Sequence, residues 1–118
     1  MTGITRIETN ERMSRVVTYN GVALIGGLTA SDASQDIKGQ TQQVLDKIDA
    51  YLAKAGTDNT RMLSAQIWLK DIERDFAGMN EVWDKWLPKG VAPVRATGES
   101  KLARGDLLVE IIVTAALA

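Results

Sequence analysis

The sequence contains no cysteine and no histidine among its 118 residues. Without cysteine there can be no disulfide, thiol nucleophile, iron–sulfur cluster or cysteine-ligated zinc. Without histidine the chain lacks the side chain that most often acts as a base near neutral pH, which excludes Ser-His-Asp and Cys-His catalytic sites. Any catalysis must therefore use carboxylates, amines, guanidinium groups, hydroxyls, backbone groups and water.

Concentrated charge and long apolar runs are also lacking. The formal net charge is −1, and no Lys/Arg cluster runs longer than two residues. This argues against nucleic acid as a partner, because phosphate neutralisation needs a concentrated basic surface. No segment at the N-terminus has the apolar core of a signal peptide, and no window approaches about 18 apolar residues. We therefore expect a cytoplasmic protein with neither a nucleic-acid nor a membrane partner.

The remaining composition is that of an ordinary globular protein. Hydrophobic residues make up 45% of the chain and charged residues 25%, close to typical values. A division of this length would leave two halves that are each too small for a good core. The sequence therefore predicts one domain over residues 1–118.

Alternating apolar patterns and turn signals predict five strands. The dipeptide Asn20-Gly21 is a strong signal for a two-residue hairpin between strands at 14–19 and 22–28. Three further strands are expected at 62–69, 93–100 and 107–115. We expect the last two to be joined by a hairpin turn in "KLARGD".

Apolar residues spaced three and four apart predict two helices. The first spans about 36–55, with Gly56 as its stop signal. Asp71 can cap the second helix, which Pro88 and Gly90 end. Its tryptophans at 83 and 86 follow the helical apolar spacing, so we expect core packing rather than ligand stacking.

The order β-β-α-β-α-β-β predicts an α+β two-layer sandwich, a mixed sheet with both helices on one face. The other face of the sheet carries too many apolar residues to remain in water, and the chain offers no third layer to cover it. A second subunit is the natural cover, so we expect an oligomer.

Three segments resemble the Rid family, the reactive intermediate deaminases, also called the YjgF family. "QTQQVLDKIDAYLAKAG" and "FAGMNEVWDKWLP" are similar to its two helices, and "APVRATGESKLARGDLLVEIIV" to its signature region. The start, "RMSRVVTYNGVALIGG", resembles a short YoaB-like branch. The resemblance implies a chorismate-mutase-like fold of the bacillar type and a homotrimer whose sheets line a central barrel. It also implies hydrolysis of 2-imino and enamino acids to 2-oxo acids and ammonia in clefts between subunits, without cofactor or metal.

Two charged residues lie in segments that otherwise read as strands, and the resemblance gives both a role. Arg95 would bind the substrate carboxylate, a task for which its planar fork of donors is suited. Glu110 would hold and partly deprotonate the water that attacks the imine carbon, assistance worth about 10²–10⁴-fold. The alternative is an ion pair between adjacent strands with no function, although buried pairs seldom add net stability.

The resemblance also assigns four residues to substrate binding. Asn80 matches a cleft-facing asparagine of the second helix, although a polar residue beside an apolar stripe is often only a solvated boundary. Thr97 lies where many relatives have cysteine, and its backbone N–H could still contact substrate. Gly26 takes the place of a common serine, and Met13 that of an aromatic residue that caps the cleft. The departures at positions 13, 26 and 97 leave the identity of the substrate open.

Two rival functions remain compatible with the sequence. The first is a non-catalytic trimer that binds a small carboxylate through Arg95 as a sensor or regulator. The second is another enzyme on the same fold, such as a chorismate mutase, which would call for more cationic groups around a dicarboxylate.

Overall fold

A computed structural model describes residues 3–118, which form six strands and two α-helices. A short 3₁₀ turn, Asn59–Arg61, precedes the fourth strand. The elements are β1 (Thr5–Thr9), β2 (Ser14–Tyr19), β3 (Val22–Leu28), α1 (Ile37–Ala55), β4 (Met62–Leu69), α2 (Ile72–Trp86), β5 (Val94–Glu99) and β6 (Val109–Ala116). Neither helix is long and apolar enough to cross a bilayer.

The six strands form one mixed sheet in the order β1-β2-β3-β6-β4-β5. Only β4 and β5 pair in parallel, and the other neighbours are antiparallel. Helix α1 leads from β3 to β4, and α2 leads from β4 to β5. The predicted α+β sandwich with two helices on one face is thus confirmed. We refer to the side of the sheet covered by the helices as the helix face, and to the other side as the open face.

The structure adds a strand, β1, to the predicted order. This segment, "TRIET", pairs only with β2 and holds a single apolar residue, Ile7, which packs against the core. A strand with one apolar residue shows no alternation, so its sequence carries no periodic signal.

The predicted hairpin between the last two strands is wrong. Strand β4 lies between β5 and β6, so the two strands do not pair. "KLARGD" is instead part of a loop that crosses the end of β4. It contains a local turn in which the Leu107 N–H donates to the Arg104 carbonyl at 3.3 Å. The predicted turn is therefore present, but the strands on its two sides are not neighbours in the sheet.

The local signals at the other turns and helix ends are confirmed. Asn20 and Gly21 both have positive φ, 50° and 79°, as a two-residue hairpin turn of the primed type requires. Asp71 caps α2 as predicted, accepting a hydrogen bond from the backbone N–H three residues on. Asp36, which was not predicted as a cap, does the same for α1. Gly56 ends α1 in the left-handed conformation, at φ 86°.

Strand β6 shows how the two sheet faces differ. Its buried residues point towards the helices and alternate with half-buried residues on the open face. Trp83, which is 4% exposed, belongs to the core between the sheet and the helices, and the partly buried Trp86 packs against this core. The Trp86 Nε1 donates to Asp49 at 2.9 Å. Core packing of both tryptophans, as expected from their spacing, is confirmed.

The start of β4 departs from strict alternation. Alternation with Ala65, Ile67 and Leu69 predicts that Leu63 lies on the buried face of β4. Leu63 is instead 48% exposed, whereas Met62 is 5% exposed. The pairing with β6 shifts register between Met62 and Ser64. A local irregularity of this kind moves each preceding residue to the opposite face.

Gln40 is a fully buried polar residue near the start of α1. Its amide nitrogen donates to the carbonyls of Ala33, Gln35 and Asp106, at 3.2, 3.1 and 3.0 Å. Its amide oxygen accepts the Leu108 N–H at 2.9 Å. One side chain therefore fastens the segment before α1 to the loop before β6.

Candidate functional site

Arg95 lies on the edge strand β5, with its guanidinium over an aromatic ring of α2. Its register partner on β4 is the buried Ala65, which places Arg95 on the helix face. The guanidinium carbon is 5.4 Å from the centroid of the Trp83 ring, within the range of a cation–π contact. Within residues 3–118 no carboxylate forms an ion pair with Arg95, and the side chain is exposed. The donors of the fork are therefore available to a ligand.

Thr97 lies on the same face of β5 as Arg95, and Asn80 lies on the helix that carries Trp83. Thr97 follows Arg95 by two residues and is in register with Ile67. Its hydroxyl oxygen is buried and has no hydrogen-bond partner within residues 3–118. Asn80 is half-buried and precedes Trp83 by three residues, so the two share one side of α2. We call Arg95, Thr97 and Asn80, which come from β5 and α2, the arginine group.

Glu110 lies on the open face, against a glycine of β3. It alternates with the buried residues of β6 and is in register with Trp68. A Cβ on Gly27 would lie 2.1 Å from the Glu110 Oε2 and 3.1 Å from its carboxyl carbon. The carboxylate therefore occupies the space that any other side chain at position 27 would fill.

Met13 and Gly26 lie on the same side of the molecule as Glu110. A Cβ on Gly26 would be 3.6 Å from the Met13 Cε, an ordinary contact distance. Gly26 directly precedes the glycine that contacts Glu110, in the part of β3 where its pairing with β6 shifts register. We call Met13, Gly26 and Glu110 the glutamate group.

The six predicted site residues thus fall into two groups within one chain. Strand β4 separates β5 from β6, and Arg95 and Glu110 project from opposite faces of the sheet. The alternative interpretation, an ion pair between adjacent strands, is therefore wrong. In the described part of the chain, the cavity that Arg95 lines does not include Glu110.

Three residues near these groups were missed by sequence reasoning as contributors. Trp83 was read as core, which it is, but its ring also carries the Arg95 guanidinium. Gly27 makes room for Glu110, and nothing in "GGLT" distinguishes it from Gly26. Trp68 extends over β5, since a Cβ on Gly98 would lie 2.9 Å from its ring. Only the strand order reveals these contacts.

A shallow cavity of about 380 Å³ lies mainly on the open face across β4, β5 and β6. Arg95 and Ala65 line one part of it, and the rest of its lining comes from Ser64, Gln66, Val94, Ala96, Ile112 and Thr114. Within residues 3–118 no three acidic side chains converge in a way that could hold a metal ion.

Comparisons with known proteins place this geometry in a family. The family described as Endoribonuclease L-PSP matches residues 3–117. A RutC family protein of Haemophilus ducreyi is 46% identical over 114 residues, covering 97% of each chain. The RutC family protein YoaB of Escherichia coli K12 is 39% identical over 114 residues, covering 97% of this chain and 98% of YoaB. These relatives include the YoaB branch that the N-terminal segment resembles.

Solved structures agree with the sequence relatives. A member of the YjgF protein family from Neisseria meningitidis superposes with a TM-score of 0.95 at 38% identity, covering 98% of this chain and 96% of its own. A protein from Pseudomonas aeruginosa gives the same TM-score at 40% identity, covering 98% and 100%. The chain belongs to the YjgF family. Both groups of site residues fall within the segment that the family shares.

Proposed function

We propose that this YjgF-family protein hydrolyses 2-imino and enamino acids to 2-oxo acids and ammonia without a cofactor. The observation that carries the proposal is the Arg95 guanidinium, which lies over Trp83 and has no carboxylate partner within residues 3–118. A guanidinium with free donors suits a carboxylate, which it binds through two parallel hydrogen bonds. The carboxylate is the group that all substrates of this class share.

We infer that a neighbouring copy completes the site. A small substrate cannot reach Arg95 and Glu110 of one chain, because they project from opposite faces with β4 between their strands. The open face also exposes apolar side chains that a second copy would cover, among them Leu24 at 50% and Val94 at 74%. A homotrimer with its open faces turned inward satisfies both requirements and places the clefts between subunits.

The proposed reaction begins with the substrate carboxylate on Arg95. Glu110 accepts a proton from a water molecule while the water oxygen bonds to the imine carbon, and it passes this proton to the imine nitrogen, which gives a carbinolamine. The Glu110 carboxylate then takes the hydroxyl proton and delivers it to the amine nitrogen as the carbon–nitrogen bond breaks, so that ammonia leaves and the carbonyl of the 2-oxo acid forms. The oxygen of the 2-oxo acid thus comes from water, and no electrons are exchanged with a cofactor. General acid–base assistance of this kind contributes about 10²–10⁴-fold.

The remaining predicted residues have supporting roles in the proposal. The Thr97 hydroxyl, which lacks a partner within residues 3–118, can hydrogen-bond the substrate beside its carboxylate. In the proposal the Asn80 amide would do the same from α2. Met13 and Gly26 would border the substrate side chain, where neither residue offers a polar side-chain group. An apolar side chain on the substrate is the better match for this surface.

The test couples the protein to an amino-acid oxidase that generates 2-imino acids, and follows their decay by trapping with semicarbazide. We expect wild-type protein to accelerate decay and Arg95→Ala to lower kcat/KM by about 10²-fold, since two charge-assisted hydrogen bonds are lost. Arg95→Lys keeps the positive charge but lacks the planar fork of donors, so its kcat/KM should lie between those of wild type and Arg95→Ala. The matched control is Arg104→Ala, which removes an exposed arginine whose only ion pair within residues 3–118 is with Asp106.

Two outcomes would contradict the proposal. If no imine decays faster with wild-type protein, the chain is not this enzyme. If 2-oxo acids then still raise the melting temperature in a manner that requires Arg95, the non-catalytic carboxylate-binding function is the correct one.

A further inference from the structure

A second concave site lies between α1 and the β2–β3 side of the sheet, and shares no residue with either site group. This basic cavity measures about 240 Å³. Three cationic side chains line it, Arg15 from β2 and Lys47 and Lys54 from α1. Leu28 and Tyr51 add apolar surface. Three cations around one small cavity are unusual in a chain whose net charge is −1.

Within residues 3–118 one carboxylate, that of Glu8, lies close to these cations. Lys54 pairs with Glu8 at an exposed position. Lys47 donates to the Thr29 carbonyl at 2.7 Å, and that neutral acceptor leaves its charge and two of its donors unused. Arg15 forms no ion pair within residues 3–118, although its charge also helps to lower the pKa of Glu8. Three cations and one carboxylate give the cavity a net charge of about +2.

The surroundings of Lys47 disfavour its positive charge, and a bound anion would reverse this effect. Burial lowers the pKa of its ammonium group below the ordinary value, and the nearby charge of Arg15 lowers it further. Both effects disfavour the charged form. An anion between Lys47 and Arg15 would offset both, because each cation would then face an opposite charge.

We infer that the basic cavity binds a phosphate dianion, either free or as the end of a small phosphate monoester. The charge of the group matches the net charge of about +2 in the cavity, and the cavity is smaller than typical sites for drug-sized ligands, which begin at about 300 Å³. Lysine ammonium groups bind phosphate as point charges, and an arginine fork binds it through two donors. The surface of Leu28 and Tyr51 provides room for a short apolar substituent on an ester.

The test is calorimetric titration of the full chain with inorganic phosphate and with methyl phosphate, at fixed ionic strength. Acetate serves as the monoanion control. We expect saturable binding of phosphate and a rise of about tenfold or more in its Kd in Lys47→Met and in Arg15→Gln. Lys47→Arg should largely restore affinity. The matched control is Lys38→Met, which removes the same charge from the same helix outside the cavity, where Lys38 pairs with Glu81.

Each result decides for or against the site. Lack of saturable binding by wild-type protein, unchanged affinity in both cavity variants, or equal affinity for acetate would overturn the inference. Circular dichroism checks that Lys47→Met folds, and Arg15→Gln alone decides if it does not. Binding of phosphate but not of methyl phosphate identifies the free ion as the ligand, and tighter binding of methyl phosphate than of phosphate identifies an ester. Tighter binding of an RNA oligonucleotide than of methyl phosphate would overturn the assignment to a small molecule. Because none of these assays involves imines, failure here leaves the proposed deaminase activity untouched.

Discussion

The two consecutive glycines of β3 allow the role of Glu110 to be tested without altering Glu110 itself. A methyl group on Gly27 would lie 2.1 Å from the Glu110 Oε2, 3.1 Å from its carboxyl carbon and 3.4 Å from its Cγ. A methyl group on Gly26 would meet nothing closer than the Ser14 carbonyl at 3.5 Å. Gly27→Ala must therefore displace the carboxylate, whereas Gly26→Ala fits without movement.

The expected effects on stability and on activity differ strongly. The two closest atoms belong to the end of a flexible, half-buried side chain, so rotation relieves the clash. We expect a stability loss of about 1 kcal/mol, at the low end of the range for overpacking. If Glu110 handles protons at the imine carbon, its displacement by an ångström or more removes most of that assistance. We expect kcat to fall about 10²-fold or more in Gly27→Ala. Because Gly26 borders the substrate side chain in the proposal, Gly26→Ala should act on KM and leave kcat within about twofold of wild type.

The measurement combines the imine-decay assay with urea unfolding of the same samples. The proposed role would be supported if the free energy of unfolding of Gly27→Ala lies within about 1 kcal/mol of the wild-type value while its kcat is as low as that of Glu110→Gln. A crystal structure of Gly27→Ala should show the carboxylate rotated away from position 27. Wild-type kcat in a variant whose carboxylate has visibly moved would refute the assignment of Glu110 to proton transfer.

Two further predictions concern stability. Gln40→Ala should destabilise the fold by about 2–4 kcal/mol, because it leaves a buried cavity and strips the Leu108 N–H of its acceptor; the exposed neighbour Gln42→Ala should stay within about 0.5 kcal/mol in the same urea titration. The hydrogen bond from Lys54 is the main cause that holds the pKa of Glu8 below its ordinary value of 4.5. Because the folded-state pKa is depressed, this contribution to stability is present above that value and is lost as pH falls through the lowered folded-state pKa. Urea titrations across this acidic range should therefore show a shallower pH slope for Glu8→Gln than for wild type, and equal slopes would contradict the pairing.

Local signals in the sequence predicted most of the secondary structure because each depends on only a few neighbouring residues. The positive φ at Asn20 and Gly21, the cap at Asp71, and the stop at Gly56 all follow from the conformational preferences of those residue types. The sheet order depends on contacts far apart in sequence, and here the prediction failed at one point. Nothing local in "KLARGD" indicates that β4 lies between the strands that it joins.

The same limit explains what could be predicted of the candidate site. Alternation along a strand correctly placed Arg95 and Thr97 on one face together, and the family resemblance selected Glu110. Alternation cannot say which face of one strand matches which face of another, so the opposite orientation of Arg95 and Glu110 was not foreseen. Gly27 was missed for the same reason, because its contact with Glu110 exists only once β3 and β6 are paired.

Because the two site groups lie on opposite faces of the sheet, the proposed chemistry requires a neighbouring copy for turnover but not for carboxylate binding. The open face that needs a cover also carries Glu110, whereas Arg95 lies over Trp83 of its own chain and needs no neighbour to hold it there. A dissociated chain should therefore keep a weak affinity for carboxylates through Arg95 while losing turnover, because Glu110 of the same chain projects from the opposite face of the sheet. Ligand affinity and catalytic rate would then separate on dilution below the assembly constant. If the open face had only a structural role, ligand affinity and catalytic rate would both be kept on dilution for as long as the single chain stays folded.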